Sequence, residues 1–375
     1  MPPRVLIITA AVGEGHDLPA RTLAAQLHET DPNVEPVIED ALVAMEGLVR
    51  RLSEDMPRVI FFKARVAWDV LFWLSTCFPP TRWLSKRILI RAGAPGLMRL
   101  IERVQPDVIV STYPQSTEVL GTLRRTGRLS VPAVAVVTDV AAMHFWASPG
   151  IDLHLVTQPQ VIAEVRRVAG AGADVRCVTG LTDVRFELPR DPAVARAALG
   201  LPAEGRIVLV SGGGWGVGDV TGAVATALTL TDVAQVVCLC GHSEPLREAI
   251  TYQFGSVPRV RVEGFTDRMP DWLAAADALV HSTGGLTVFE ALLTGCRPIS
   301  YGWGRGHIRR NNAAFARYGL ADVVASRVDL AAALRRALDA ERKPDSSYAG
   351  RPSAAAAVLE LAARRRPAIV LPAPR

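Results

Sequence analysis

Three short stretches set chemistry-bearing side chains beside glycines. VGEGHDLPARTLAAQL follows an apolar β-branched run and places His16 behind Gly13 and Gly15, where a helix should begin. A helix N-terminus disfavours the imidazolium, so His16 is expected to be neutral, able to take up or give a proton. VAVVTDVAAMHFWASPG ends a second apolar run at Asp139 and follows it with His144 and Trp146, making Asp139 the other candidate base. The plainer alternatives are a loop-carbonyl contact for His16 and a turn or helix cap for Asp139. HSTGGLTVFEALLTG, residues 281 to 295, reads as strand, glycine pair and short helix, with Thr283, Gly284 and Gly285 at the turn. Such glycines let a ligand approach the backbone, and the free N–H groups and dipole of the helix they open favour a phosphate. Leu286, Phe289, Leu292 and Leu293 repeat at helical spacing as the buried stripe, which leaves Thr287 and Glu290 on the other face. Too far along to cap the helix, Glu290 could accept two hydrogen bonds from the vicinal hydroxyls of a ribose; the alternative is one more solvated carboxylate. A nucleoside diphosphate meets both requirements.

Other loops converge on the same place. SGGGWGVGDV puts Gly213 and Gly214 at the end of another buried run, and VEGFTDRMPDWLAAAD offers backbone around Phe265 for the edge of a base, with Met269 just beyond. GHIRRNN supplies His307 and Asn311. Loops at the carboxyl ends of strands are where an open α/β sheet binds ligands.

The elements that must carry these residues follow from the apolar pattern. Runs of five to seven β-branched residues alternate with helix-length segments, the pattern of a parallel sheet covered on both faces. Strands are expected at 4–9, 107–111, 133–138, 153–157, 175–179, 207–211, 235–240, 260–263, 278–281 and 298–301. RVLIITAAVGEGH and RIVLVSGGGWGVG repeat one opening, so the fold class is α/β with two Rossmann-like domains facing across a cleft. The expected divisions are 1–185, 186–345 and a helix with a tail over 346–375, the helix packing back on the body. A length of 375 residues with 49% hydrophobic content supports two cores. The first glycine turn is not a dinucleotide fingerprint, because the third glycine of G-x-G-x-x-G would fall on Leu18.

Charge and cysteine usage narrow the partners. The net charge is +5, yet residues 50 to 103 alone hold eleven Arg or Lys against four carboxylates. Within them, VIFFKARVAWDVLFWLSTCFPPTRWLSKRILIR packs Trp68, Trp73 and Trp83 among basic residues. Asp69 and Pro79 break its apolar run short of the roughly twenty residues that span a bilayer. It suits a helix lying in the interface of an anionic membrane, the alternative being a buried helical pair with a wet basic face. It is too aliphatic for nucleic acid. Cys77, Cys177, Cys238, Cys240 and Cys296 are odd in number and lack C-x-x-C spacing, so neither disulfides nor zinc is indicated, and a reducing cytoplasm fits.

GGGWG, GFTDRMPDWLAAAD, STGGLTVFEALLTG and GHIRRNN together resemble the donor half of GT-B glycosyltransferases of the bacterial MurG and monogalactosyldiacylglycerol synthase group. The G-x-G-H loop with the later TD, H and W run resembles the diacylglycerol glycosyltransferases, including processive bacterial glucosyltransferases and plant galactolipid synthases. The resemblance implies a UDP-sugar donor held at the diphosphate by Gly284 and Gly285, at the ribose by Glu290 and at the uracil by the backbone at Phe265. It implies that His16 or Asp139 activates a lipid hydroxyl, with sugar contacts falling on His307 and Asn311. Displacement would proceed with inversion; no D-x-D occurs, so no metal and no cofactor beyond the UDP-sugar co-substrate is expected. The setting would be the inner face of the cell membrane. A MurG-like transferase with an undecaprenyl-linked acceptor, a UDP-sugar epimerase and a nucleotide-sugar sensor are the alternatives.

Overall fold

The computed structural model describes residues 3–10, 14–45, 65–282, 284–302 and 304–365. The first half runs β1 (Arg4–Thr9), α1 (Glu14–Thr30), β2 (Glu35–Asp40), α2 (Ala41–Met45), α3 (Arg65–Thr76), α4 (Pro79–Val104), β3 (Val108–Ser111), α5 (Pro114–Arg125), β4 (Ala133–Val137), β5 (Leu153–Val156), α6 (Val161–Ala169) and β6 (Val175–Cys177). The second runs α7 (Pro192–Leu199), β7 (Arg206–Ser211), α8 (Val220–Leu228), β8 (Val233–Leu239), α9 (Glu244–Phe254), β9 (Val260–Glu263), α10 (Met269–Ala275), β10 (Ala278–His281), α11 (Gly285–Thr294), β11 (Arg297–Tyr301), α12 (His307–Tyr318), β12 (Asp322–Val324), α13 (Arg327–Asp339) and α14 (Ala354–Arg365).

The strands make two parallel six-stranded sheets, ordered β2-β1-β3-β4-β5-β6 and β12-β11-β10-β7-β8-β9. All ten expected strands are present, with ends shifted by up to two residues. β2 and β12 were not expected, and both lie at sheet edges where one side needs no apolar cover. β2 reads EPVIED with no residue fully buried, and β12 is three largely exposed residues.

Alternation along the central strands builds a core on each face. Leu6 and Ile8 of β1 pack with α4 and α5, whereas Val5 and Ile7 pack with α1 and α14. In the second sheet Val208 and Val210 face α8 and α13, and Ile207 and Leu209 face α10 and α11. A further core joins the halves: Val137, Val140 and Val156 of the first meet Val288, Ala314 and Phe315 of the second. As expected, α14 returns to the first half; the chain pairs there with its own outgoing strand, Thr179 N–H donating to Pro352 O (3.0 Å) and Ala354 N–H to Thr179 O (3.0 Å).

Only the latter half of α4 is built like a buried helix, through Leu89, Leu97, Leu100 and Ile101. On α3 and the start of α4 the large apolar side chains Val70, Leu71, Trp73, Phe78, Trp83, Leu84 and Ile88 are exposed, Trp83 at 60%. A buried helical pair is therefore not what this segment forms. No helix among the described residues is long and apolar enough to cross a membrane.

Candidate active site

Each sheet changes direction at one point, and the candidate residues gather at both. In the first sheet the switch lies between β1 and β3, so the loops leaving these strands open a crevice. His16, on the first turn of α1, turns Nδ1 to the carbonyl of Thr112, the residue after β3 (2.9 Å), and lies edge-on to Tyr113. A carbonyl only accepts, so Nδ1 carries the proton and a neutral His16 presents the Nε2 lone pair. Burial holds its pKa below the ordinary range; Asp139 and the Thr112 carbonyl oppose this, and the nearby His307 reinforces it. Burial thus adds to the neutrality expected at a helix start.

Asp139 follows β4 and is buried. Trp146 Nε1 donates to its Oδ2 and Asn311 Nδ2 to its Oδ1, each at 2.6 Å. The chain turns back between them at Phe145, whose φ of 81° is left-handed. Asn311 also accepts from Ala141 N–H (3.0 Å) and is 0% exposed. Asn311, expected at the sugar, engages the 139–141 turn through both ends of its amide. Trp146 likewise has its indole N–H committed to Asp139, and its ring faces His307 at 6.2 Å. His144 senses different neighbours: burial and the charges of Arg82, Lys86 and Arg167 lower its pKa to about 4.

The second sheet switches between β7 and β10. After β7 the Gly213 to Gly216 turn closes by Gly216 N–H to Gly213 O (3.1 Å), with Gly213 at φ 69°. Gly214 O accepts from His242 N–H (2.8 Å), and the His242 ring stacks on the half-exposed Phe265 at 4.0 Å. Met269 begins α10 and packs on the core beside it. After β10, Gly284 caps α11 in extended conformation, and no side chain among the described residues caps that N-terminus. Thr283, expected at this turn, and Gly13, expected in the loop before His16, lie outside the described residues. Gly15 is exposed, with open space where a side chain would begin.

The glycine pair joins the two crevices. A Cβ on Gly284 would lie 3.2 Å from Asp139 Oδ1, and one on Gly285 only 2.3 Å from the Thr138 carbonyl oxygen. Gly285 therefore serves the contact between halves, a task the sequence does not show because Thr138 is remote along the chain. The same contact corrects the reading of α11: it is covered on two faces, with Val288 in the shared core and Leu286 and Phe289 in that of the second sheet. Glu290 is 6% exposed, not on a solvated face, and accepts from Thr182 Oγ1 at 2.7 Å. Burial pushes its pKa up to about 7, Asp183 adding to the rise and the Thr182 hydroxyl opposing it.

α12 belongs to the second half yet is held by the first along its length. Asp69 of α3 accepts from Gly306 N–H (3.0 Å), Asn311 engages Asp139, and Glu164 of α6 accepts from Arg317 and Tyr318 (2.9 Å each). Sequence reasoning missed Asp69, Thr112 and Thr182. Asp69 had one signal, as a lone acid interrupting an apolar, basic segment.

Residues 16–181 match the family model for monogalactosyldiacylglycerol (MGDG) synthase, and residues 207–365 that for the glycosyltransferase family 28 C-terminal domain. The processive diacylglycerol beta-glucosyltransferase of Staphylococcus saprophyticus is 25% identical over 366 residues, covering 92% of this chain and 90% of its own. Its namesake from Staphylococcus carnosus is 26% identical over 299 residues, 77% of this chain and 73% of its own. Among solved structures, Acinetobacter baumannii MurG superposes with a TM-score of 0.58 at 15% identity, covering 97% of this chain and 95% of that one. A putative UDP-N-acetylglucosamine 2-epimerase from Listeria monocytogenes gives 0.56 at 12% identity, covering 90% and 88%.

Proposed function

We propose that the chain, whose halves match the MGDG synthase model and the glycosyltransferase family 28 C-terminal domain, is a GT-B glycosyltransferase that moves a hexose from a UDP-sugar to the hydroxyl of a diacylglycerol-type lipid. Residues 1–185 present the acceptor, 186–345 hold the donor, and in the remaining segment, 346–375, the helix α14 packs on the first half. The observation that carries this reading is the meeting of a buried carboxylate, a neutral histidine and an uncapped helix start at Asp139, His16 and Gly284.

His16 Nε2 takes the proton from the acceptor hydroxyl. The freed oxygen bonds to the anomeric carbon on the face opposite the leaving group, and the C–O bond to the diphosphate breaks, its electron pair leaving with UDP. Amide groups of α11 and the Gly213–Gly216 turn stabilise that charge without having to reorganise. Asp139 is the weaker candidate for the base, since both its oxygens already accept hydrogen bonds. It stabilises the imidazolium that forms on His16. Glu290 receives the ribose, and the uracil packs near Phe265.

The exposed apolar side chains of α3 and α4, among basic residues, seat the protein peripherally on an anionic membrane, at its cytoplasmic face, where a diacylglycerol hydroxyl is presented. An epimerase shares the fold, but a soluble substrate has no use for that surface.

His16→Ala and Asp139→Asn should each cut sugar transfer by about 10²–10⁴-fold while leaving UDP affinity intact. Full turnover in both variants would overturn the assignment of the base. Lipid mass spectrometry of cells with and without the protein identifies the product.

A further inference from the structure

α3 carries one carboxylate, Asp69, and its partners among the described residues lie on the segment that opens α12. Gly306 N–H donates to Oδ1 (3.0 Å), Arg305 Nη1 to Oδ2 (3.0 Å), and Arg309 Nη2 approaches Oδ2 at 3.5 Å. A carboxylate at this position satisfies a backbone donor and complements the positive end of the helix. The guanidinium contacts fix its orientation. The residue directly after Gly306 is His307, whose ring faces Trp146, and Trp146 in turn bonds Asp139. The next residues along α3 are Val70 and Leu71, with Trp73 shortly beyond, all exposed.

We propose that Asp69 is a positioning residue that clamps the start of α12 from the acceptor half, setting His307 in the cleft and tying the seating of α3 on lipid to completion of the donor side. This rests on the transferase reading above. The exposed ridge and the cleft are thereby two ends of one short connection. A lipid surface that orders α3 orders the first turn of α12, and a protein off the membrane holds that turn only as firmly as α3 itself is held.

The test combines hydrogen exchange with kinetics. Vesicles of phosphatidylglycerol and diacylglycerol should slow amide exchange of residues 306–310 in the wild type and leave it unchanged in Asp69→Asn. On the same vesicles Asp69→Asn should lose at least tenfold in kcat, with melting temperature and vesicle sedimentation as in the wild type. Arg305→Gln, which alters no part of α3, should reproduce the pattern. Adding His307→Ala to Asp69→Asn should cost no more than His307→Ala alone. Equal vesicle protection in both proteins, a kcat equal to wild type, or fully additive losses with His307 each overturn the proposal. Absence of any transfer by the wild type would instead sink the transferase reading, and the exchange measurement would still decide the clamp.

Discussion

Glu290 is a buried acid whose ionised form gains from a ligand that brings hydroxyls. Its folded pKa of about 7 exceeds the 4.5 of an ordinary glutamate, so the folded, unliganded protein binds the extra proton between these values. Stability therefore falls as pH rises through that window, by on the order of 3 kcal/mol when the shift is complete. Glu290→Gln should raise the melting temperature at pH 8 and converge on the wild type below about pH 4.5 in a scan series. A ribose diol donates to the carboxylate, so UDP affinity should weaken from pH 8 to pH 6 in the wild type and stay flat, and weaker by up to a few kcal/mol, in Glu290→Gln. A wild-type affinity indifferent to pH in calorimetry would remove the ribose role. For His16 the sign is opposite in consequence: in its proposed role as base the neutral form acts, and its lowered pKa should extend the turnover plateau to more acid pH than an ordinary histidine permits. The identities of these residues were legible from their place beside glycines. Their burial was not, because it is imposed by Thr182, Thr112 and the other half, all distant in sequence.

At the scale of elements, α11 is the piece on which both halves close. A methyl on Gly285 would press the Thr138 carbonyl at 2.3 Å and Asp139 Cα at 3.1 Å, and backbone cannot rotate aside. Gly285→Ala should cost about 1–3 kcal/mol of stability, read by thermal melting, and at least tenfold in turnover as α11 shifts from Asp139. Gly284→Ala meets a side-chain oxygen at 3.2 Å and should melt close to the wild type. Wild-type melting of Gly285→Ala would refute the close-approach role. The eight interior strands were readable because both faces are largely buried and the apolar run is continuous, and the edge strands β6 and β9 kept enough apolar alternation to be read. β2 and β12 were not, since an edge strand with Glu35, Glu39 and Asp40, or one as exposed as β12, carries no such signature. Asn311 was placed at the cleft by its motif, but which partner its amide would choose depended on a turn in the other half.

For the whole molecule, the seven exposed apolar side chains between Val70 and Ile88 are the surface proposed to meet lipid. Replacing Trp73 and Trp83 together by Ala should reduce sedimentation with anionic vesicles several-fold and leave UDP binding unchanged. Undiminished sedimentation would place membrane contact elsewhere. The chain passes from the first sheet to the second and later returns, and the two passages are bonded to each other at Thr179, Pro352 and Ala354. Two covalent links that run side by side act as a single hinge leaf. A swing about it would keep both hydrogen bonds, whereas sliding of one half past the other would break them.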